Sequence, residues 1–181
     1  MAKEIEMKYL LYENGLKFTT DGFDKMFGDR SGLEERVQTE GTFISQAYLE
    51  IEEGKQLAAD IGMNIDFDAT TYRIRQKGDH YFFTVKGFGH VEKIEEEVGI
   101  SGEIFDKYFG QTKAKIAKFR LTVPYHGKQI EIDFFPPLEL ITAEIEGTSQ
   151  EDLQAIPAPG KDISTEARYK NQVLAGQYIK R

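Results

Sequence analysis

The sequence contains no cysteine, which excludes disulfides and thiolate metal sites. It has no apolar run long enough to cross a bilayer and no signal-like amino terminus, so the reducing cytoplasm is the expected compartment, with no membrane partner. Histidine is scarce: His80, His90 and His126 fall in separate predicted turns and read as solvent-exposed side chains rather than a metal cluster. Positive charge is in deficit too. With 23 Lys and Arg against 31 Asp and Glu, the formal charge of −8 argues against binding a nucleic-acid backbone. A small polyanion is not excluded, because a local cluster of Lys and Arg, helped by metal ions, reverses the potential of an acidic protein. Internal repeats, low-complexity tracts and dividing linkers are also lacking. The 181 residues, 40% of them hydrophobic, therefore predict one domain spanning residues 1–181 with a substantial core.

What the sequence does have is alternation. Glu4-Ile5-Glu6-Met7-Lys8 puts Glu4, Glu6 and Lys8 on one face of an extended chain, and Ile5, Met7 and Tyr9 on the other. The same period of two predicts strands from Lys3 to Leu11, Thr42 to Ile51, Thr71 to Lys77, Tyr81 to Gly87 and Glu92 to Ile100. Three more run through Lys118 and Arg120, through Glu131 and Asp133, and from Glu139 to Gly147. Gly78-Asp79-His80 and Tyr125-His126-Gly127-Lys128 read as hairpin turns, and Pro136-Pro137 as a break. Phe23, Met26, Phe27, Leu33 and Val37 recur at helical spacing interrupted by Gly28 and Gly32, which predicts one broken helix or two short ones. Ser101 caps a short helix carrying Ile104, Phe105 and Tyr108 that Gly110 ends. Ser149 caps another, and a last helix runs from about Glu166 to Tyr178. Gly54 to Ala69 reads as an exposed insertion, whose Asp60, Asp66 and Asp68 lack EF-hand spacing. Gly87-Phe88-Gly89 is a flexible joint without the spacing of a phosphate loop. Short strands joined mainly by turns predict one antiparallel sheet, closed or strongly curved.

Along one face of these strands, like charges pair at alternate positions: Glu4 with Glu6, Arg73 with Arg75, Lys118 with Arg120, Glu131 with Asp133, and Glu144 with Glu146. Lys8, Lys86, Lys93, Glu95 and Glu97 join them. A single such pair is an ordinary solvated face. Neighbouring like charges repel, however, so their recurrence on most strands points to a face that meets a ligand, and eight strands can enclose a small one. Carboxylate pairs supply hard oxygen ligands for Mg²⁺ or Mn²⁺, while Arg and Lys pairs hold phosphate oxygens. Together they describe a site for a metal-bound polyphosphate, where phosphoryl transfer depends on positioning and neutralised charge. If the acids serve only as counter-ions to the bases, the same pattern describes a noncatalytic polyphosphate-binding module. The Phe and Tyr residues at strand spacing suit the outer surface under helices better than nucleic-acid stacking.

The ordered series E-x-E-x-K, R-x-R, T-x-K, K-x-R, E-x-D and E-x-E, followed by Arg168-Tyr169-Lys170-Asn171, resembles the CYTH superfamily, the triphosphate tunnel metalloenzymes, over nearly the whole chain. That resemblance implies an α+β fold, an eight-stranded antiparallel closed β-barrel (the tunnel) with flanking helices. It also implies binding of a small-molecule triphosphate with Mg²⁺ or Mn²⁺, and hydrolysis of it, with inorganic tripolyphosphate the first choice. Thiamine or nucleoside triphosphate hydrolysis and class IV adenylyl cyclase activity are the alternatives. By position, Glu4, Glu6, Asp133, Glu144 and Glu146 would bind metal, and Arg73, Arg75, Lys86, Lys118 and Arg120 would hold phosphates. Lys8 and Tyr48 resemble a catalytic Lys-Tyr pair, in which an ammonium beside a phenol lowers its pKa and makes it a proton acceptor. Lys93, Glu95, Glu97, Glu131 and Lys170 would be supporting residues, and a homodimer is compatible with the pattern. Only Met1-Ala2-Lys3 precedes E-x-E-x-K, where cyclases of the family often carry His-Phe, which favours hydrolysis. The stretches between Tyr12 and Thr42 and between Gly54 and Thr70 are longer than the compact bacterial pattern.

Overall fold

The computed structural model describes residues 2–179. In chain order they form β1 (Ala2–Glu13), β2 (Leu16–Lys17), α1 (Asp21–Phe27), α2 (Arg30–Glu40), β3 (Thr42–Tyr48), α3 (Ile51–Asp60), β4 (Ala69–Lys77), β5 (His80–Gly87) and β6 (Glu92–Gly99). There follow α4 (Gly102–Gln111), β7 (Lys115–Tyr125), β8 (Lys128–Phe135), β9 (Leu140–Glu146), α5 (Gln150–Gln154), β10 (Lys161–Asp162) and α6 (Asn171–Ile179). The strand order is β10-β1-β6-β5-β4-β3-β7-β8-β9, and β1 also pairs with β9, so the hydrogen-bonded path returns to β1. This is the expected α+β class, eight long antiparallel strands in a closed barrel with flanking helices. The two-residue strands β2 and β10 are additions to β1 that alternation is too short to announce. Among the described residues, no helix is long and apolar enough to cross a membrane.

The chain falls into two compact units: one holds the chain up to Glu4, Ser45–Ile116 and the chain from Lys170, and the other holds Ile5–Ile44 and Ala117–Tyr169. In the first unit, β4, β5 and β6 pair in register, and the β4–β5 hairpin turns on Gly78-Asp79 with Lys77 opposite His80. His80 thus begins β5 instead of sitting in the turn. One face of this sheet is apolar. Tyr72, Ile74, Phe83 and Val85 are buried against Leu57 and Ala58 of α3 and Phe105 and Tyr108 of α4, as the spacing of the aromatic residues predicted.

The stretch from Gly54 to Ala69 is not an exposed insertion. It begins inside α3, whose Gly54, Leu57 and Ala58 are buried, and continues with Ile61, Met63, Ile65 and Phe67 packed against the same core. The apolar stripe is only one turn wide and contains a glycine, so composition hides it. Gly54 is there because of close approach: a Cβ at this position would lie 2.2 Å from the Tyr72 ring. The strand predicted to reach Ile51 stops at Tyr48, where α3 takes over the apolar contacts. Ser101 caps α4 as expected by accepting from the Ile104 amide, but the helix runs through Gly110 and stops at Thr112, whose hydroxyl donates to the Tyr108 carbonyl.

In the second unit β1, β9, β8 and β7 pair in register, and the helical stretch before β3 is two helices. Thr20 caps α1 and Asp29 caps α2, with Gly28 (φ 81°) between them in a conformation that suits glycine. Phe23, Phe27, Leu33 and Val37 carry their buried sides. Gly41 ends α2 where a Cβ would lie 2.7 Å from the Arg120 carbonyl oxygen of β7. The last helix starts at Asn171, after a short 3₁₀ turn over Ala167–Tyr169, and not at Glu166.

Gly54→Ala is expected to cost about 2 kcal/mol of unfolding free energy through overpacking against Tyr72, measured by urea denaturation.

Candidate active site

Period-two alternation puts the charged residues of the first unit in rows that cross β4, β5 and β6. Arg73 stands opposite Thr84, which stands opposite Glu97; in the next row Thr71, Lys86 and Glu95 are aligned. The side chains link along these rows. Arg73 Nη2 donates to Thr84 Oγ1 at 3.1 Å, and that hydroxyl donates to Glu97 Oε2 at 2.6 Å. Arg73 and Arg75 each place Nη2 3.5 Å from the same Glu97 oxygen, so one carboxylate organises both guanidinium groups. Lys86 Nζ lies 3.2 Å from Glu4 and 3.5 Å from Glu95. Burial pushes the Glu95 carboxyl up, but a hydrogen bond with Glu4 and the Lys86 and Arg73 cations carry it below its ordinary value. Lys93 shares the face of Glu95 and Glu97 on β6. Lys170 Nζ donates to the Gly89 carbonyl at 3.4 Å, and its pKa is lowered by burial and then by Lys93 and Lys86.

Tyr48 is buried in this unit, with its hydroxyl accepting from Gln46 Nε2 at 2.6 Å. Burial raises its phenol pKa and outweighs the opposing Arg73, Lys86 and Arg75 cations. The expected lowering is therefore reversed: neighbouring positive charge is present, but loss of water is the larger effect. Sequence reasoning gave no role to Gln46 or Thr84, both fully buried on the charged face. Their signal was position alone, since each shares a strand face with a charged or catalytic candidate two residues away.

In the second unit two rows cross β7, β8, β9 and β1: Arg120, Asp133, Thr142 and Leu10, then Thr122, Glu131, Glu144 and Lys8. Asp133 is saturated by cations. Arg120 donates from Nε to one carboxylate oxygen at 2.7 Å and from Nη2 to the other at 2.8 Å, where Lys118 Nζ also donates at 2.8 Å. Arg120 Nη1 reaches Glu131 at 3.0 Å, and its Nη2 lies 3.8 Å from Glu144. Lys118 is wholly buried, and burial, with Arg120 beside it, pulls its ammonium down to about 7 despite Asp133. Burial alone would raise the Asp133 carboxyl, but Arg120 and Lys118 hold it below its ordinary value. Glu131 is pushed up by burial and by Glu144, against the pull of Arg120. Lys8 Nζ donates to the Tyr169 carbonyl at 2.5 Å and lies 3.8 Å from Glu144; burial lowers its pKa even so.

The carboxylates separate into two kinds. Glu4 and Glu6 are alternate residues of β1, and Glu6 faces Glu146 across the β1–β9 pairing. Asp133 and Glu144, expected with them, face Arg120, Lys118 and Lys8. Carboxylates paired in this way supply hard oxygens of the kind that a small divalent cation takes.

No family model matches the chain. It is 34% identical over 118 residues to the inorganic triphosphatase of Nitrosomonas europaea, an alignment that covers 60% of this chain and 76% of that protein. The crystal structure of an inorganic triphosphatase superposes with a TM-score of 0.54 at 24% identity, covering 97% of this chain and 95% of the other. A structure of a candidate adenylate cyclase from Bacillus halodurans gives 0.50 at 16% identity, covering 92% and 100%. At these identities the two structures share the fold alone.

Asp133→Asn is expected to lose about 3 to 5 kcal/mol of stability in the metal-free protein, because it strands two buried cations. Since the folded carboxyl sits below its ordinary value, its contribution is full at neutral pH and fades as pH falls through the folded value. Denaturant titrations of variant and wild type should therefore converge in acid.

Proposed function

The chain belongs to the CYTH superfamily, the triphosphate tunnel metalloenzymes, and from that premise we propose that it hydrolyses inorganic triphosphate to pyrophosphate and phosphate with the help of a divalent cation. The observation that carries this reading is the identity shared with a protein named for that activity. The charged rows support it, because they supply the two kinds of group that the reaction needs. Phosphoryl transfer asks little covalent chemistry of a protein and depends on charge placed in advance.

In this reading, Arg73, Arg75 and Lys86 bind phosphate oxygens directly. Arg75 and Lys86 keep some exposed side-chain surface, Arg73 is as buried as Arg120, and Glu97 or Glu95 holds each head group in place beforehand. Lys118 has no exposed surface and Arg120 almost none, so their part is to fix Asp133 and the neighbouring carboxylates while adding positive potential. Glu4, Glu6, Asp133, Glu144 and Glu146, the carboxylates that the family resemblance picks out, would hold Mg²⁺ or Mn²⁺. When bound, the cation supplies charge that polarises phosphate oxygens. Lys8 Nζ and Tyr48 Oη orient the attacking water and manage its proton. Burial lowers the pKa of the Lys8 ammonium and raises that of the Tyr48 phenol. The reaction takes place in the cytoplasm, on a small-molecule substrate.

Purified protein incubated with tripolyphosphate, ATP or thiamine triphosphate and Mg²⁺ or Mn²⁺ is expected to release phosphate fastest from tripolyphosphate, and to stop on chelation. Binding of tripolyphosphate without turnover would identify a noncatalytic module, and cyclic AMP from ATP would identify a cyclase. Arg75→Ala should raise KM about tenfold with a smaller change in kcat, having lost a charged hydrogen-bond donor. Glu6→Gln should lower turnover about a hundredfold and weaken Mn²⁺ binding, read by calorimetry.

A further inference from the structure

Residues 161–169 run beside β1 and are fastened to it at several levels. β10 pairs Lys161 with Leu10 and Asp162 with Tyr9. The Lys8 amide donates to Ser164 Oγ at 2.9 Å, and the Ile163 amide donates to the Lys8 carbonyl at 2.9 Å. The segment then brings the Tyr169 carbonyl onto the Lys8 ammonium. The other end of Tyr169 is tied to the same strand: its buried ring places the hydroxyl as a donor to Glu13 Oε1 at 2.8 Å. Arg168 reaches that carboxylate at 3.2 Å and lies 4.1 Å over the Tyr169 ring.

Lys8 and Glu13 are five residues apart on β1, and Tyr169 bridges them, with its hydroxyl on Glu13 and its carbonyl on Lys8. The lysine side chain has four rotatable bonds, so its ammonium needs outside fixing to stay within reach of one place. We infer that Glu13 and Tyr169 are positioning residues for Lys8: Glu13 anchors the Tyr169 ring, and the anchored residue presents its carbonyl to Lys8 Nζ. This rests on the reading that Lys8 acts in triphosphate hydrolysis. It gives the C-terminal segment a part in the chemistry that its distance along the sequence conceals, and it assigns Glu13, a carboxylate outside the charged rows, to the same task.

The test uses Glu13→Ala, Glu13→Gln and Tyr169→Phe in the full chain, assayed on tripolyphosphate. Glu13→Ala and Tyr169→Phe are expected to lower kcat about tenfold with KM within about twofold of wild type. Glu13→Gln, which still accepts from the tyrosine hydroxyl, should recover most of the loss. Wild-type kcat in Tyr169→Phe, or a change confined to KM, would overturn the inference. A second readout is independent of turnover: hydrogen exchange of the Lys8 ammonium, followed by NMR and assigned with Lys8→Arg. It should quicken about tenfold in Tyr169→Phe, and unchanged exchange also overturns the inference. If wild type releases no phosphate, the hydrolase reading falls, while the exchange measurement still decides whether Glu13 and Tyr169 hold the ammonium. Should Glu13→Ala fail to fold, Tyr169→Phe carries both readouts alone.

Discussion

One carboxylate shared by two cations, all three withdrawn from water, sets the terms for the charged face of the second unit. Asp133 takes two hydrogen bonds from Arg120 and one from Lys118. A lone ion in that position would be intolerable, and removing Asp133 leaves two buried cations without their shared partner. The fork of Arg120 does more than neutralise. With one edge fixed on Asp133, Nη1 can only point toward Glu131, and Nη2 approaches Glu144, which in turn stands beside Lys8. Lys8 thus inherits its electrostatic surroundings from a residue two strands away. In the first unit Glu97 has the corresponding part, gathering Arg73 and Arg75, with the Thr84 hydroxyl filling the gap.

Exposure then sorts the charges by use. Lys118 is sealed and Arg120 nearly so, which suits residues that hold others still, whereas Arg75 and Lys86 retain 14% and 17% of their side-chain surface; Arg73, at 7%, is as buried as Arg120 and is set apart by its partners and not by exposure. The distinction cuts across residue type, since each set contains both Lys and Arg. It follows from how many acids stand in the adjoining rows: Asp133, Glu131 and Glu144 crowd Arg120, while Arg75 meets Glu97 at a longer distance.

Much of this was legible in the amino-acid order because strands and charges obey the same period. Every long strand announced itself by alternation, and the charged face came with it. What stayed hidden has definite physical causes. Helix α3 carries its burial on Gly54, Leu57 and Ala58, a stripe too small to outweigh the surrounding polar residues. Strand β10 is two residues long. Within the charged face, E-x-E and E-x-D look alike on paper, yet cross-strand register sends Glu6 to Glu146 and Asp133 to Arg120. Gln46 and Thr84 are neutral and so vanish among charged neighbours. The Tyr48 phenol was misjudged because sequence displays the cations near it and conceals the loss of water around it.

Gly41 joins a peripheral helix to this inner arrangement. Its missing side chain lets the end of α2 rest against the backbone of Arg120, with less than a methyl group's clearance. The helices before β3 contribute no charge to the rows, but they lean on the peptide from which the central guanidinium hangs. A substituent at position 41 would have to push that peptide aside. A flaw in the outer shell of the protein would thus surface as a fault in its chemistry.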